Sequence, residues 1–517
     1  DMNLQLSAGL IIFDSTPWEK VVLNAALQNG TLNVKRLAAG NVLKSKFEAN
    51  GEVKGFGDKP QLNNVNYTFD TEDLRSWFER FEVNAPQVNL AAFQPFSSSG
   101  TVSVNGNRIW LKAENTNGDT DSTYNGRITQ AEGKYLLNGE LQLRSPNASA
   151  LLKNLQLSYE PQEQNLGRLG LKTQIVGNAD KFKMSDMQLS VGANTFQGTV
   201  GADLARSVPY WVANLKINRF ESERFMPKRS AAPRFGADKS AQRVTELWSK
   251  PNLSDAAFAV DKLRRFTLAS KFEVNELLLK DKMLKNVTVG IENKNGELAI
   301  KDLKSDYNSG KLAANIKFGY TGKPRAVGDF SVTKQNVYDL GWSGDVYGVK
   351  AGEADLSLAF DTSALSYRNV LDNFSGVATI EIRNPVISGW DLFAISDDLT
   401  KRKQSEGLQS VLLNDLQQGE TAFDKFAGKI AFKNGNWSLE KAELLSNDAN
   451  VTLAGSGNLG AWTMDTVFKT QLSHPANINP FDFSLKGPMF APELSANASL
   501  ITKVYDDRKA KVEADAK

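Results

Sequence analysis

The chain of 517 residues contains no cysteine and a single histidine, His474. The absence of cysteine fits any compartment and slightly favours one in which stray disulfides would be harmful. The histidine lies next to Pro475 in a loop-like stretch, so the sequence offers neither a histidine-based catalytic triad nor a multi-histidine metal site. We therefore interpret His474 as a structural residue.

The signatures of other chemistries are missing as well. There is no phosphate-binding loop and no dinucleotide fingerprint, because the glycines lie at turn positions and not before helices. The adjacent carboxylates at 397–398 and 506–507 are neighbours in sequence, which does not make them converge, and a solvated face explains them. We predict a protein that is not an enzyme and that carries no cofactor and no metal.

Long apolar runs and an excess of charge are also lacking. The longest runs, such as residues 10–13, are far shorter than the roughly 20 apolar residues that span a bilayer, and no signal peptide is visible. Because residue 1 lies close upstream of a repeated phrase, we expect a fragment of a longer chain, with a membrane anchor in the missing N-terminal part. Lys+Arg total 61 and Asp+Glu total 59, which gives no electrostatic case for a nucleic-acid partner.

What the sequence does contain is a repeated phrase, an Asn-Gly turn followed by an alternating strand. It occurs at residues 29–34, 295–300 and 434–439, and more loosely at 179–184. Asn-Gly readily adopts positive φ at the two central positions of a type I′ hairpin. Its recurrence along the chain predicts an array of β-units and not an enzyme built around one pocket.

The clearest unit covers residues 272–320. Leu298 and Ile300 alternate with less apolar neighbours, and so do Ile316 and Phe318 in the strand that follows the next turn. A period of two places the apolar side chains on one face of a sheet and the polar ones on the other. Turn signals about every eleven residues indicate an antiparallel meander.

We therefore predict a mainly β fold, a long repetitive antiparallel sheet curled into a trough, with a few short helices and a helical hairpin near residues 390–419. The predicted regions are a β-repeat region at 1–221, an insertion or hinge with a short helix (242–250) at 222–262, a β-repeat unit at 263–350, a C-terminal region with the hairpin at 351–500, and a charged tail at 501–517.

Two alternatives remain open at this level. The apolar face either lines an open groove or forms the packed core of ordinary β-sandwiches, and periodicity does not distinguish the two. The helical hairpin either plugs an open end of the sheet and hides its edges, or it gates a groove or contacts a partner or membrane.

Four segments after residue 373 follow one another in a recognisable order. "FSGVATIEIRNPVISGWDLF" (374–393) is a strand, a turn and a helix start, and "FAGKIAFKNGNWSLEKAELLS" (426–446) carries the turn at Gly435. "VTLAGSGNLG" (451–460) and "FSLKGPMFAPEL" (483–494) close the series. In this order and spacing the region resembles the C-terminal part of the AsmA-like family of diderm bacteria. The match extends upstream to the clear unit, whereas residues before 260 match in style only.

This resemblance implies a long β-trough that is held to the inner membrane by an N-terminal helix and projects into the periplasm. It implies a role in moving phospholipid between the two membranes, or in keeping the outer membrane in order. The implied partners are phospholipids and, through the missing anchor, the inner membrane. An alternative is an assembly or targeting factor that binds outer-membrane proteins by strand addition. A secreted, adhesin-like β-array is a weaker third hypothesis.

If the apolar face is a groove, its functional residues are lining residues and not catalysts. The predicted lining residues are Leu298, Ile300, Leu312, Ile316, Phe318, Leu356, Leu358, Phe360, Ile430, Phe432, Trp437, Leu439, Val451 and Leu453.

Overall fold

The computed structural model describes residues 2–55, 60–80, 89–131, 133–155, 161–226, 257–258, 260–280, 282–342, 347–476 and 478–515. The chain divides into two compact units. The first comprises residues 1–230 with 265–282, and the second comprises 231–264 with 283–517.

The described part of the first unit consists of long strands with short helices between some of them. Its strands are β1 (Met2–Phe13), β2 (Thr16–Gln28), β3 (Thr31–Val42), β4 (Ser45–Lys54), β5 (Gln61–Thr71), β6 (Phe96–Asn105), β7 (Arg108–Asn117), β8 (Thr120–Ala131), β9 (Lys134–Ser145), β10 (Leu169–Gly177), β11 (Lys181–Val191), β12 (Asn194–Asp203), β13 (Tyr210–Glu221) and β14 (Thr267–Leu279). Its helices are α1 (Leu74–Arg80), α2 (Ala148–Asn154), α3 (Ser222–Phe225) and a 3₁₀ turn at Leu90–Phe93.

The described part of the second unit follows the same plan. Its strands are β15 (Lys282–Lys294), β16 (Glu297–Tyr307), β17 (Gly310–Gly319), β18 (Arg325–Asn336), β19 (Val349–Ser363), β20 (Ser375–Ser388), β21 (Glu420–Ala422), β22 (Lys425–Lys433), β23 (Asn436–Leu445), β24 (Ala449–Asn458), β25 (Thr463–Leu472), β26 (Phe481–Pro488) and β27 (Glu493–Asn497). Its helices are α4 (Val260–Leu263), α5 (Asn369–Asp372), α6 (Leu392–Lys401), α7 (Leu408–Asp415), α8 (Ser499–Asp515) and a 3₁₀ turn at Val337–Leu340.

The prediction of a mainly β fold with one long repetitive sheet is confirmed, since the 27 described strands belong to a single sheet. Within each unit nearly every strand pairs antiparallel with the next strand along the chain, as a meander requires. Among the strand pairs whose register the structure describes, the expected antiparallel order fails between β13 and β14. Strands β13 and β14 pair parallel, with Tyr210 opposite Thr267. A parallel pair needs a crossover of a dozen or more residues, and residues 222–266 are long enough to supply it.

The Asn-Gly turns have the backbone that the sequence predicts. Both turn residues have positive φ, at Asn295 and Gly296 with 53° and 79°, and at Asn434 and Gly435 with 49° and 75°. This is the type I′ geometry that matches the twist of the flanking strands. The looser copy is built differently, because the Asn178 side chain accepts hydrogen bonds from the backbone of the turn at Lys181.

Bulges interrupt many strands, and polar side chains of the neighbouring strand stabilise several of them. Asp302 has φ 49° and its backbone N–H donates to Asn315 Oδ1 at 2.9 Å. Lys334 has φ 54° and donates to Asp355 Oδ1 at 2.7 Å. A bulge leaves a backbone group without its ladder partner, so these side chains take the place of the missing strand carbonyl.

The predicted helical hairpin is present as α6 and α7, and it forms the largest hydrophobic cluster of the described residues. Leu399 and Leu412 of the hairpin, Ile501 of α8, and Phe468 and Phe483 of the sheet are all buried in it. The hairpin therefore covers the inner side of strands near the C-terminal end of the second unit. The predicted short helix at 242–250 lies outside the described residues, and the predicted region boundaries stay predictions.

Candidate functional site

The strand register of the second unit lines up inward side chains in continuous rows. Ile300 lies opposite Ile316, Ile316 opposite Gly328, and Gly328 opposite Phe360. Directly opposed residues of an antiparallel pair project to the same side of the sheet. The row continues through Gly376, Phe432, Trp437 and Gly457. One apolar row thus crosses the strands from β16 to β24.

Parallel rows widen this surface. Phe330 lies opposite Leu358, and Leu312 lies opposite Val332, which in turn lies opposite Leu356. Together the rows define what we call the apolar face of the second unit: Leu298, Ile300, Leu312, Ile316, Phe318, Phe330, Leu356, Leu358, Phe360, Ile380, Ile430, Phe432, Trp437 and Leu439.

The exposure of the side chains in this list is intermediate, while Val332 and Ala314 in the same rows are buried. A side chain in a closed core loses nearly all of its accessible surface, as Leu412 does at 0% exposure. All described strands belong to the one sheet, so within the described residues no second sheet packs on this face. The described part of the chain therefore covers the apolar face only in part.

Val451 and Leu453 are placed differently from the other predicted lining residues. Val451 is 1% exposed and belongs to the cluster beneath the helical hairpin. Leu453 packs against that same cluster and lies opposite Phe468. In the described structure these two side chains contact protein, so the open part of the apolar face ends before them.

The sequence analysis missed an aromatic side chain at the strand ends of the face, immediately before β20. Phe374 stacks on Phe360 with ring centroids 6.0 Å apart and contacts Phe432 edge-on at 5.3 Å. Gly376 lies between Phe360 and Phe432 in the row, and the close approach of β19 requires glycine there, because a Cβ would lie 2.1 Å from the Ala359 carbonyl oxygen. The alternation of Phe374, Gly376 and following apolar residues is the signal that could have identified it.

The first unit carries an apolar row of its own that was not predicted as a site. It begins with Val53 opposite Leu62 and Leu62 opposite Val104. It continues through Ile109, Ile128, Leu137, Gly177, Phe182, Ala202 and Trp211. Asn-Gly also occurs here at 105–106 and 117–118, and together with the alternation of apolar residues it was the signal for this strand face.

The opposite face of the sheet in the second unit is mainly polar, although Val327 and Val377 on it are each 39% exposed. Ser357, Thr379 and Lys429 lie opposite one another in a single row, and all three are exposed. Nearby, Arg383 bonds Glu353 at 2.6 Å and Asp355 at 2.8 Å. The hydrogen bond from Arg383 is the main reason that the pKa of Asp355 lies below its usual value. This face is suited to water and not to an apolar ligand.

The residues considered for catalysis have ordinary structural partners. Asp397 pairs with Lys401 and Asp398 with Arg402, each one helical turn away on α6. The side chain of His474 is exposed, and its carbonyl oxygen accepts a hydrogen bond from Ser396. In the ranges that the structure describes, no group of three or more acidic or histidine side chains is placed to hold a metal.

The fold and its apolar face define a repetitive β-protein built from a single meandering sheet. Among the described helices, none combines the length and the apolar character needed to cross a bilayer. The AsmA family model matches residues 1–442, and the chain belongs to this family. The expected family is thereby confirmed, but the match also covers the first 260 residues, where only a likeness in style was expected. Comparison with curated proteins and with solved structures finds no match. Family membership fits a role in lipid transport or in the cell envelope.

Proposed function

We propose that this protein shields phospholipid acyl chains on its apolar face and so transfers lipid between the inner and outer membranes of a diderm bacterium. The proposal places the protein in the periplasm, anchored to the inner membrane by a segment outside this sequence. It includes no catalytic step, no cofactor and no metal.

The observation that carries the proposal is that the side chains of the apolar face remain partly accessible, although most of the surface of each one is covered. A soluble protein rarely leaves a large contiguous apolar surface open unless something binds there. The rows from Ile300 to Trp437 are continuous, and their side chains are aliphatic or aromatic. Such a lining suits an acyl chain, because an acyl chain has no hydrogen-bonding groups that polar side chains could recognise.

The energetics of lipid transfer explain why a lined surface is useful. Moving a phospholipid with about 30 methylenes through water costs roughly 0.8 kcal/mol per CH₂, or above 20 kcal/mol in all. A thermal step of that height is too slow to supply a membrane. A continuous apolar face lowers the barrier because the chains stay out of water while the head group remains solvated.

The alternative function, assembly of outer-membrane proteins by strand addition, has less support in the geometry. Strand addition uses the backbone of a sheet edge and leaves the continuous apolar rows in the sheet interior unexplained. The same experiment on lipid binding separates the two functions, because an assembly factor has no need of a lipid-filled face.

The test compares two substitutions at neighbouring positions on opposite faces. Purified protein is incubated with vesicles of phosphatidylethanolamine and phosphatidylglycerol, reisolated, and its bound lipid is quantified by mass spectrometry. Ile316→Asp places a charge on the apolar face and should remove most of the bound lipid. Lys317→Asp, on the polar face, should leave it unchanged. Equal lipid content in wild type and both variants, or none in the wild type, would contradict the proposal.

A further inference from the structure

One short segment of the second unit contacts a residue of that unit's apolar face. We call the described residues 257–258 and 260–264 the strap. Ala257 forms a single antiparallel bridge with Ser366. The next side chain, Phe258, has its ring centroid 5.6 Å from that of Phe318 and 4.6 Å from that of Tyr367. The strap therefore places an aromatic ring of the chain itself on a residue of the apolar face.

The far end of the strap is firmly fixed. The Leu263 carbonyl oxygen accepts a hydrogen bond from Asn293 Nδ2 at 2.8 Å, and Arg264 donates to the Tyr320 carbonyl oxygen at 3.1 Å. The Tyr320 hydroxyl donates to Asn293 Oδ1 at 2.7 Å. Asn293 and Tyr320 are 0% and 3% exposed. Buried and mutually satisfied polar groups of this kind hold one geometry.

The near end, in contrast, is loosely held. Ala257 is exposed and Phe258 is half-buried. Ring contacts with Phe318 of β17 and with Tyr367, and a single bridge to Ser366, attach them to the rest of the unit; Ser366 and Tyr367 lie in the loop after β19. Aromatic pairs contribute little each beyond the area they bury, so this end can be displaced while the fixed end stays in place.

We propose that Phe258 occupies an acyl-chain position on the apolar face, so that lipid and strap compete for Phe318. The inference rests on the proposed function and adds to it a position at which lipid binding is regulated. An acyl chain lying along the row of Leu298 and Phe318, which are directly opposed, has to move the Phe258 ring aside. The strap then limits lipid binding at this row. It does not limit lipid binding at Phe360, which lies in another row.

The test maps where lipid sits. Phosphatidylethanolamine with a photoactivatable diazirine in its acyl chain is added in vesicles of equal parts phosphatidylethanolamine and phosphatidylglycerol. Adducts on Phe318, within the peptide containing residues 316–320, are compared by mass spectrometry with adducts on Phe360, within residues 356–360. Phe258→Ser should raise the ratio of the first to the second about tenfold, because two aromatic pairs are lost. Phe258→Leu should raise it less. Leu365→Ser, at a side chain 63% exposed, should leave it unchanged.

A second variant tests closure directly. Bridged residues of an antiparallel pair have Cα atoms about 4.5–5.5 Å apart, within the range of a disulfide. Because the chain has no cysteine, the double substitution Ala257→Cys with Ser366→Cys creates a single bond that locks the strap. Oxidation should lower the 316–320 adducts and reductant should restore them.

The outcomes are distinguishable. If adducts form at 356–360 but neither Phe258→Ser nor the locked strap alters the ratio, the strap inference is wrong and the proposed function stands. If adducts form at neither peptide in any variant, the proposed function fails and the inference fails with it.

Discussion

A pair of leucine truncations distinguishes an open apolar face from a packed core without any lipid. Leu358 lies on the apolar face and is half-buried, whereas Leu412 on α7 is 0% exposed. Truncating a fully buried leucine to alanine costs about 2–5 kcal/mol, since the lost burial is joined by the cost of a cavity. Leu358→Ala removes about three methylene equivalents, which are only partly buried in the wild type, and it leaves no closed cavity. We expect it to cost about 1 kcal/mol.

The measurement is the shift of the urea midpoint for each variant, followed by amide hydrogen exchange in β23–β26. Exchange is the better probe because a chain of two units need not unfold in one step. Leu412→Ala should accelerate exchange around Phe468 and Phe483, which share its cluster, and Leu358→Ala should not. If both truncations destabilise equally, the apolar face is a filled core, and the lipid-shielding proposal loses its basis.

Three further predictions follow from individual contacts. Leu453→Asp should destabilise the helix-covered cluster, detected as a lowered thermal midpoint, and not act as a simple block to lipid, because Leu453 packs against protein. Asn315→Ala should cost about 1 kcal/mol in urea unfolding, because the backbone N–H of the bulge at Asp302 loses its acceptor; an unchanged midpoint would show that water replaces it. The lowered pKa of Asp355 stabilises the fold above the unfolded-state pKa, and this contribution is lost as pH falls through the folded-state pKa. Asp355→Asn, which leaves Arg383 without this partner, should therefore reduce the loss of stability between pH 7 and pH 3; an identical pH profile would contradict it.

The turns, and the face of the sheet to which each strand residue points, were predictable because both depend on neighbouring residues. Asn295 and Gly296 set a type I′ turn whatever surrounds them, and a period of two assigns a face to each side chain. The register places Ile300, Ile316 and Phe360 in one row, which the alternation within single strands does not specify. The helical spacing in 390–419 likewise predicted α6 and α7.

Other features depend on contacts between distant parts of the chain and could not be predicted from the pattern. The parallel pairing of Tyr210 with Thr267 depends on where residues 222–266 return the chain. The contact of Phe258 with Phe318 joins residues that no repeat relates. An isolated phenylalanine next to a region without periodicity carries no signal of such a contact.

The sequence by itself determined that one long apolar surface exists, because alternation and turn chemistry are local and survive in any context. Only the tertiary structure decided how that surface is covered. Leu358 and Val451 have the same alternating pattern, but Leu358 stays partly accessible while the helical hairpin buries Val451. The physical reason is that periodicity fixes the direction in which a side chain projects, and burial depends on which other element packs against it.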